Sequence, residues 1–392
     1  MKISLKRTPE QIELVKAMAS RNREVAYEAQ AALATFLGPV IAEVINNAPV
    51  LSNLFSPMQF NSEDNPSIPL DLYYDITDED YIQIYSQSVA GGLPTNQVLP
   101  TSAELKITTY TLDSALSFDK RYAAKSRMDV VSKTFTRMAQ EILAKQERTS
   151  GNLVLGALAT ANTNNKAHVQ RANAKGRFLL QDMNELLTLS RRVFTSFSGG
   201  TQESGQAGMG ITDLLISPEI EEELRAMAYN PISTKGILEQ TPNGANPGFA
   251  APDAVRVALF NGGGINSFYG VNLMVFNEFG YQRKFNTIFA SLATAASQTY
   301  STAQGKNVSG TTGSDAFDQS SAKDELLLGI NRNRESLIRA IAVDATSGSE
   351  FSLVADDQYS IRQNKIGYFG SLDEGRMVID NRALFGKIVR GN

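Results

Sequence analysis

The sequence predicts an α+β fold of more than one part, and three observations carry that reading. Within Ser126 to Ala161, Val131, Phe135, Met138 and Ile142 recur at steps of four, three and four, which marks one face of a very long helix. Two β-rich runs, Tyr81 to Val89 and Glu104 to Phe118, alternate with period two on either side of the loop Ala90 to Ala103. From Ile211 onward, short apolar runs alternate with helical segments, as in a mixed α/β region.

The elements follow in chain order. Thr8, Pro9 and Gln11 form a helix start, with Thr8 as N-cap and Pro9 where its missing N–H costs nothing, and the helix is expected to run to Gly38-Pro39. Its stripe, Ile12, Val15, Met18 and Ala19, gives way to alanine, so it must lie along its own body or a neighbouring subunit. VIAEVINNAPVLSNLF is more apolar, and FNSEDNPSIPLDLYYD is polar and proline-rich. The two β-rich runs then read as long antiparallel arms whose unpaired edges need a cover, most simply another chain. The long helix has Ser126 and Asp129 as its start and, if unbroken at Ser150-Gly151, a length of about 54 Å.

A second helix is expected over Gln181 to Phe197, with Asp182 and Glu185 as a capping box. Gly199 to Gly210 is a glycine-rich loop. ITDLLISPEIEEELRAMA reads as a buried strand, Ser217 as N-cap, Pro218 and an acid-led helix. A Gly/Pro/Asn-rich loop spans Tyr229 to Ala251, and VRVALF and FYGVNLMVFNEF read as strands around Gly262-Gly263-Gly264. Ala293 to Ala322 is poor in large apolar residues and is expected to be an exposed insertion that fills no core. At the end, Ile366, Tyr368 and Phe369 read as one strand and Met377, Val378 and Ile379 as another, with Asp373, Glu374 and Gly375 as their turn.

Composition excludes several classes of function. The 392 residues suffice for roughly two to three domains at about 150 residues each. A net charge of -4 leaves no overall footprint for nucleic acid, so any such contact needs a local patch of Lys and Arg. Cysteine is absent, which removes disulfides, thiolate nucleophiles and Cys-type zinc sites. His168 is the only histidine, so a catalytic triad would rest on it alone and a multi-histidine metal centre is excluded. It lies in NNKAHVQRANAKG and is expected to face solvent. No run approaches the 18 apolar residues of a membrane span, and MKISLKRTPEQIELVK lacks a secretory core, so a cytoplasm-like compartment without membrane contact is expected.

Motifs with chemistry are weak. GGGINSFYG lacks dinucleotide-binding spacing, and GQAGMG has no Lys-Ser or Lys-Thr after it. DITDED, Asp75 to Asp80, lacks the glycine and terminal glutamate of a calcium loop. NRNRES, Asn331 to Ser336, reads as a solvated or intersubunit face. No cofactor, metal or catalytic residue is expected.

The order of elements resembles the major capsid protein of tailed double-stranded-DNA bacteriophages, the Hong Kong 97-type capsid fold. ELKITTYTLDSALSFDKR leading into DVVSKTFTRMAQEIL resembles the extended-loop strand entering the spine helix. ITDLLISPEIEEEL and FYGVNLMVFNEF resemble segments of the axial domain, and KIGYFGSLDEGRMVIDNRALFGKIV the closing strands. The resemblance implies an N-terminal arm (1–50), a linker (51–74), an extended loop (75–122), a spine helix and peripheral domain (123–210), an axial domain (211–344) with an insertion (293–323), and return strands (345–392).

It also implies a non-enzymatic protein of the virion, assembled in the host cytoplasm as hexamers and pentamers that enclose DNA non-specifically. A separate scaffolding protein, a portal and a cement or decoration protein are the implied partners. Intersubunit contacts fall on Gly91, Gly92, Pro94, Lys106, Arg376 and Arg382. An encapsulin-like compartment is the alternative within the fold. A two-domain α/β enzyme and a tail or adhesion protein are alternatives from other classes.

Overall fold

Thr8 opens the first helix by accepting a hydrogen bond from the Gln11 amide, and Pro9 takes the first helical position. The structure, a computed structural model, describes residues 3, 8–61, 64–69, 104–163, 166–175, 178–193, 210–229, 267–298, 300, 316–320, 322–343, 349–356 and 363–390. Its first half contains α1 (Pro9–Ala17), α2 (Arg23–Asn46), β1 (Ser56–Asn61), β2 (Ser67–Pro69), β3 (Glu104–Lys106), β4 (Thr109–Asp119), α3 (Lys120–Ala124), α4 (Met128–Ala159), β5 (Asn162–Thr163), β6 (Lys166–Ala167) and β7 (Val169–Lys175). There follow α5 (Leu180–Arg192), β8 (Asp213–Ile216), α6 (Pro218–Tyr229), β9 (Ser267–Phe268), β10 (Val271–Val275), α7 (Lys284–Ala295), β11 (Asp324–Ile330), β12 (Leu337–Val343), β13 (Ser352–Asp356), β14 (Lys365–Val378) and β15 (Leu384–Arg390). The chain forms two units: Met1–Ser150 with Ile338–Met377, and Gly151–Leu337 with Val378–Asn392.

In unit 1 the expected single N-terminal helix is two. Asn22 caps α2 by accepting from the Glu24 amide, and α2 passes through Pro39 instead of stopping there. Gly38 explains the passage: it has no Cβ to clash with the proline ring. Helix α2 buries Ala26, Ala29, Leu33, Ala34, Leu37, Ile41 and Ile45. Contrary to the sequence expectation, it is by length and composition apolar enough to cross a membrane. That apolar face forms one core with Val131, Phe135, Met138 and Ile142 of α4 and with Ile366, Tyr368 and Leu372 of β14. Of the two bodies open to the N-terminal helix, it therefore lies on its own.

The sheet of unit 1 has the order β1-β12-β14-β13, with β4 also paired to β14. Residues 109–119, expected to project as part of an arm, are instead a body strand paired with β14 from Lys365↔Asp119 to Gly375↔Thr109. The expected closing hairpin is likewise overturned, because β14 is one continuous strand of 14 residues with no turn at 373–375. Glu374 is fully buried, and a Cβ on Gly375 would stand 2.8 Å from Ile107 Cγ2, so both residues are held inside the sheet packing.

In unit 2 the sheet order is β7-β15-β11-β8-β10-β9. Strand β11 is buried at every position, as a strand covered on both faces must be. Against it pack Leu186 and Leu189 of α5 and Ile220 and Leu224 of α6. Ser217 caps α6 as expected, accepting from the Ile220 amide at 3.2 Å. Asp182 accepts from the Leu179 amide at 2.9 Å, but Glu185, expected to share that cap, binds Lys387 Nζ at 2.8 Å. Strands β9 and β10 turn at Tyr269 and Gly270, both at positive φ, which is the two-residue turn that suits strand twist. Residues 230–266, with VRVALF and the three glycines, and 194–209 lie outside the described residues.

Two expectations for unit 2 are corrected. Part of the low-complexity stretch does fill core: Tyr300 is fully buried, stacks on Phe289 at 5.7 Å and donates its hydroxyl to Ala159 O at 3.1 Å. Phe317 meets the same Phe289 edge-on at 5.0 Å. His168 is wholly buried instead of solvent-facing, stacked on Phe385, with Nδ1 2.9 Å from Asn381 O and 3.1 Å from Leu384 O. Two carbonyl neighbours require Nδ1 to be the protonated nitrogen. Burial is the main cause of its lowered pKa, partly offset by those carbonyls.

Candidate functional site

Strands β2 and β3 form a short stem, an antiparallel pair from Ser67↔Lys106 to Pro69↔Glu104. The Ile107 amide donates to Pro66 O at 3.0 Å and closes the stem. Lys106 is exposed there. Gly91, Gly92 and Pro94 belong to residues 70–103, outside the described residues.

Four residues beyond the end of β3, Tyr110 enters a buried polar network centred on Glu374. Tyr110 Oη donates to Glu374 Oε1 at 2.8 Å, and Gln146 Nε2 of the long helix donates to Oε2 at 2.9 Å. Arg339 Nε of β12 donates to Oε2 at 3.0 Å, and Arg376 donates from Nε to Oε1 at 3.2 Å and from Nη2 to Oε2 at 3.1 Å. Arg376 Nη1 continues to Ser150 Oγ at 2.6 Å and Ser52 O at 3.1 Å, while its guanidinium lies over the Phe55 ring. Arg339 Nη1 reaches Asn46 Oδ1 at 3.0 Å, and Glu147 accepts from the Leu51 and Ser52 amides.

The side chains of Arg339, Arg376 and Glu374 are 4%, 1% and 0% exposed, so charge compensation inside the cluster is obligatory. Burial alone would raise the Glu374 pKa, but Arg376, Arg339 and the Tyr110 hydroxyl outweigh it and hold the carboxyl below its usual range. Tyr110 is pushed up to about 12 by burial first and by Glu374 second. Neither group titrates near neutrality, so the cluster behaves as a fixed tie joining β4, β12, β14, α2 and α4.

Arg376, expected at a contact between copies, spends its donors inside its own unit, where a neighbour would have to displace Glu374, Ser150 and the Ser52 carbonyl to reach it. Arg382 is different. It pairs with Asp380 at 2.9 Å and keeps 18% side-chain exposure, in a group where Arg334 holds the same carboxylate at 2.7 Å. Sequence reasoning missed Tyr110, Gln146, Arg339 and Glu374. One signal was present: Ile366, Tyr368, Leu372, Glu374 and Arg376 share even parity, so Glu374 and Arg376 continue the inward face of the strand. Among the described residues, no group of His, Cys, Asp and Glu has the arrangement of a metal site.

No family model matches this chain, and no curated protein matches it. Solved structures do. One is the head structure of Helicobacter pylori bacteriophage KHP40, 10% identical over 88% of this chain and 89% of that one, with a TM-score of 0.43. Another is the capsid of an empty GTA particle, 10% identical over 88% and 90%, with a TM-score of 0.43. A third is the holo-SrpI encapsulin complex from Synechococcus elongatus PCC 7942, 11% identical over 87% of each chain, with a TM-score of 0.40.

Proposed function

We propose that this chain has the Hong Kong 97-type capsid fold and is the major capsid protein of a tailed bacteriophage, assembling as hexamers and pentamers into the icosahedral head around a double-stranded DNA genome. The observation that carries the reading is the juxtaposition in unit 1: a stem of two short strands, β2 and β3, tied through Tyr110 to the sheet on which the long helix α4 packs. The sequence between the strands of that stem, with its half-polar YIQIYSQSV, suits an arm lying on a neighbouring copy. Many weak overlaps of that kind hold a subunit firmly because they act together.

The role is structural and not catalytic. Its location is the virion, reached by assembly in the host cytoplasm. Gly91, Gly92, Pro94, Lys106 and Arg382 are the residues we assign to contacts between copies. A scaffolding protein and a portal are the expected partners, with a decoration protein on the outer surface.

Negative-stain microscopy of the expressed protein, with and without scaffold, tests the reading. Closed shells, tubes or capsomer rings are expected, and a persistent monomer under all conditions overturns it. Deleting Ala90 to Ala103 should leave a folded subunit that no longer assembles. A specific enzyme co-purifying inside the shells would move the reading to an encapsulin-like compartment.

A further inference from the structure

Charge is distributed unevenly along this acidic chain. Residues 120–148 hold eight Lys and Arg against three Asp and Glu, whereas the whole chain has 37 against 41. One of those three acids, Glu147, is buried and occupied with the Leu51 and Ser52 amides. Seven of the eight cations are open to solvent. Arg121, Lys125, Arg127, Lys133, Arg137, Lys145 and Arg148 are all exposed, on α3, the turn after it and the outer side of α4.

Helical geometry gathers them further. At 3.6 residues per turn, Lys133, Arg137, Lys145 and Arg148 fall within an arc of about 120° and span about 22 Å of helix. The face of α4 through Val131, Phe135, Met138 and Ile142, centred about 110° round the helix from the basic arc, is committed to the core, so the basic arc lies beside the core face and is open to solvent. Arg121 is paired with Asp119, and Arg137 with Glu141, both at exposed sites where an ion pair is worth little. Lys125, Arg127, Lys133, Lys145 and Arg148 have no ion-pair partner among the described residues. The acids facing this surface are Asp129 and Glu141 on α4, with Glu10 of α1 beside Met128.

The arc on α4 offers a protein partner few anchors. The other exposed residues of α4 near this arc are Gln140, Glu141 and Ala144, no large apolar side chain of α4 is exposed, and on α3 Tyr122 is an exposed aromatic. Binding to another protein relies on aromatic or other large anchors in desolvated pockets, whereas non-specific binding to a nucleic acid backbone needs chiefly a rigid row of cations.

We propose that α3 and the outer face of α4 bind the phosphate backbone of double-stranded DNA without regard to sequence, an inference that rests on the capsid reading and directs this face toward the enclosed genome. The full chain is titrated with a labelled duplex of about 30 base pairs by fluorescence anisotropy, at salt concentrations from about 50 to 200 mM. One variant carries Lys133→Gln, Arg137→Gln, Lys145→Gln and Arg148→Gln. A control of equal net charge carries Arg191→Gln, Arg192→Gln, Arg283→Gln and Lys284→Gln in unit 2. Every substituted side chain is exposed, so both proteins should fold.

The α4 variant is expected to lose at least about tenfold in affinity at low salt and to reduce the slope of log K against log salt by about 3, while the control changes neither by a comparable amount. Equal losses in the two variants would show a net-charge effect and overturn the proposal. So would tighter binding of polyglutamate than of the duplex, which would assign the surface to an acidic protein. Microscopy of the same samples separates the two readings. Shells whose wild-type subunit shows no salt-dependent duplex binding refute the surface and leave the capsid, whereas duplex binding through α4 without any assembly supports the surface and refutes the capsid.

Discussion

Replacing Glu374 with leucine removes the one acceptor that neutralises two interior guanidiniums. The side chains of Arg339 and Arg376 are 4% and 1% exposed, and each sends its Nε to this carboxylate. Removing one partner of a buried ion pair costs about 3 to 5 kcal/mol, because the other charge is left uncompensated. Two cations are stranded here, so the upper end of that range applies. Unit 1 contains about 190 residues, for which 1 kcal/mol moves the midpoint by about 2 to 4 °C, giving a loss of roughly 10 to 20 °C.

Scanning calorimetry should show this shift in the transition of unit 1 with that of unit 2 unmoved. Adding Arg339→Met and Arg376→Leu to Glu374→Leu should recover most of the loss, since replacing a whole buried ion cluster with apolar groups is often neutral or better. Tyr110→Phe, which removes a single hydrogen bond to the carboxylate, should cost only about 1 to 2 kcal/mol. A Glu374→Leu protein melting within about 2 °C of wild type would refute the reasoning, and a triple variant as unstable as the single one would show that shape and not stranded charge decides the cost.

Other predictions follow from the same packing. Gly370→Ala should destabilise unit 1 by about 1 to 3 kcal/mol in urea titrations, because the new Cβ would meet the Phe351 ring and stand 2.8 Å from Met138 Cε. Lys387→Ala should cost unit 2 about 3 to 5 kcal/mol, because fully buried Lys387 serves Asp182 at 3.4 Å and Glu185 at 2.8 Å. Two titrations oppose each other in unit 2. Burial lowers the His168 pKa from 6.5, so its contribution is complete above that value and is lost as pH falls toward the folded pKa. Burial first, then Glu219 and Glu223, raises the Glu325 pKa from 4.5, so its folded form gains stability as pH falls through the raised value toward 4.5. With Glu325→Gln, melting temperature should therefore fall on acidification below pH 6.5, and with His168→Gln it should rise as pH approaches 4.5; identical profiles in both variants would refute the assignment.

Element identity was legible wherever one period dominated. Helix α4 and the Ser217-capped α6 follow directly from apolar spacing and start signals, and the buried strand β8 from its unbroken apolar run. Legibility failed where a local rule met a tertiary contact. Asp373-Glu374-Gly375 has turn composition, but the long pairing with β4 and the ion cluster keep it extended. Gly38-Pro39 reads as a stop, yet glycine before the proline allows the helix to continue, and the core accepts its next turns through Ile41 and Ile45. His168 and Tyr300 sit in polar, low-complexity surroundings whose composition hides that each has a specific buried partner. The Glu374 cluster was missed for a related reason: its members come from five distant segments, and only parity along β14 hinted that two of them, Glu374 and Arg376, point inward.

The buried position of Arg376 gives the junction between β4 and β14 a constraint that apolar packing alone would not supply. The β2–β3 stem leads within a few residues to Tyr110, whose hydroxyl is held by Glu374. Glu374 is held in turn by α4 through Gln146 and by β12 through Arg339. A purely apolar junction at this point would be no less stable, but apolar contacts are non-directional and tolerate sliding. A strand slipped by two residues would still present apolar side chains inward, because parity is preserved. It would not keep Tyr110 opposite Glu374, and two buried guanidiniums would lose their acceptor. The ion cluster therefore selects one register of β4 on β14 out of several that hydrophobicity alone accepts, and thereby fixes where the chain between β3 and β4 joins the sheet.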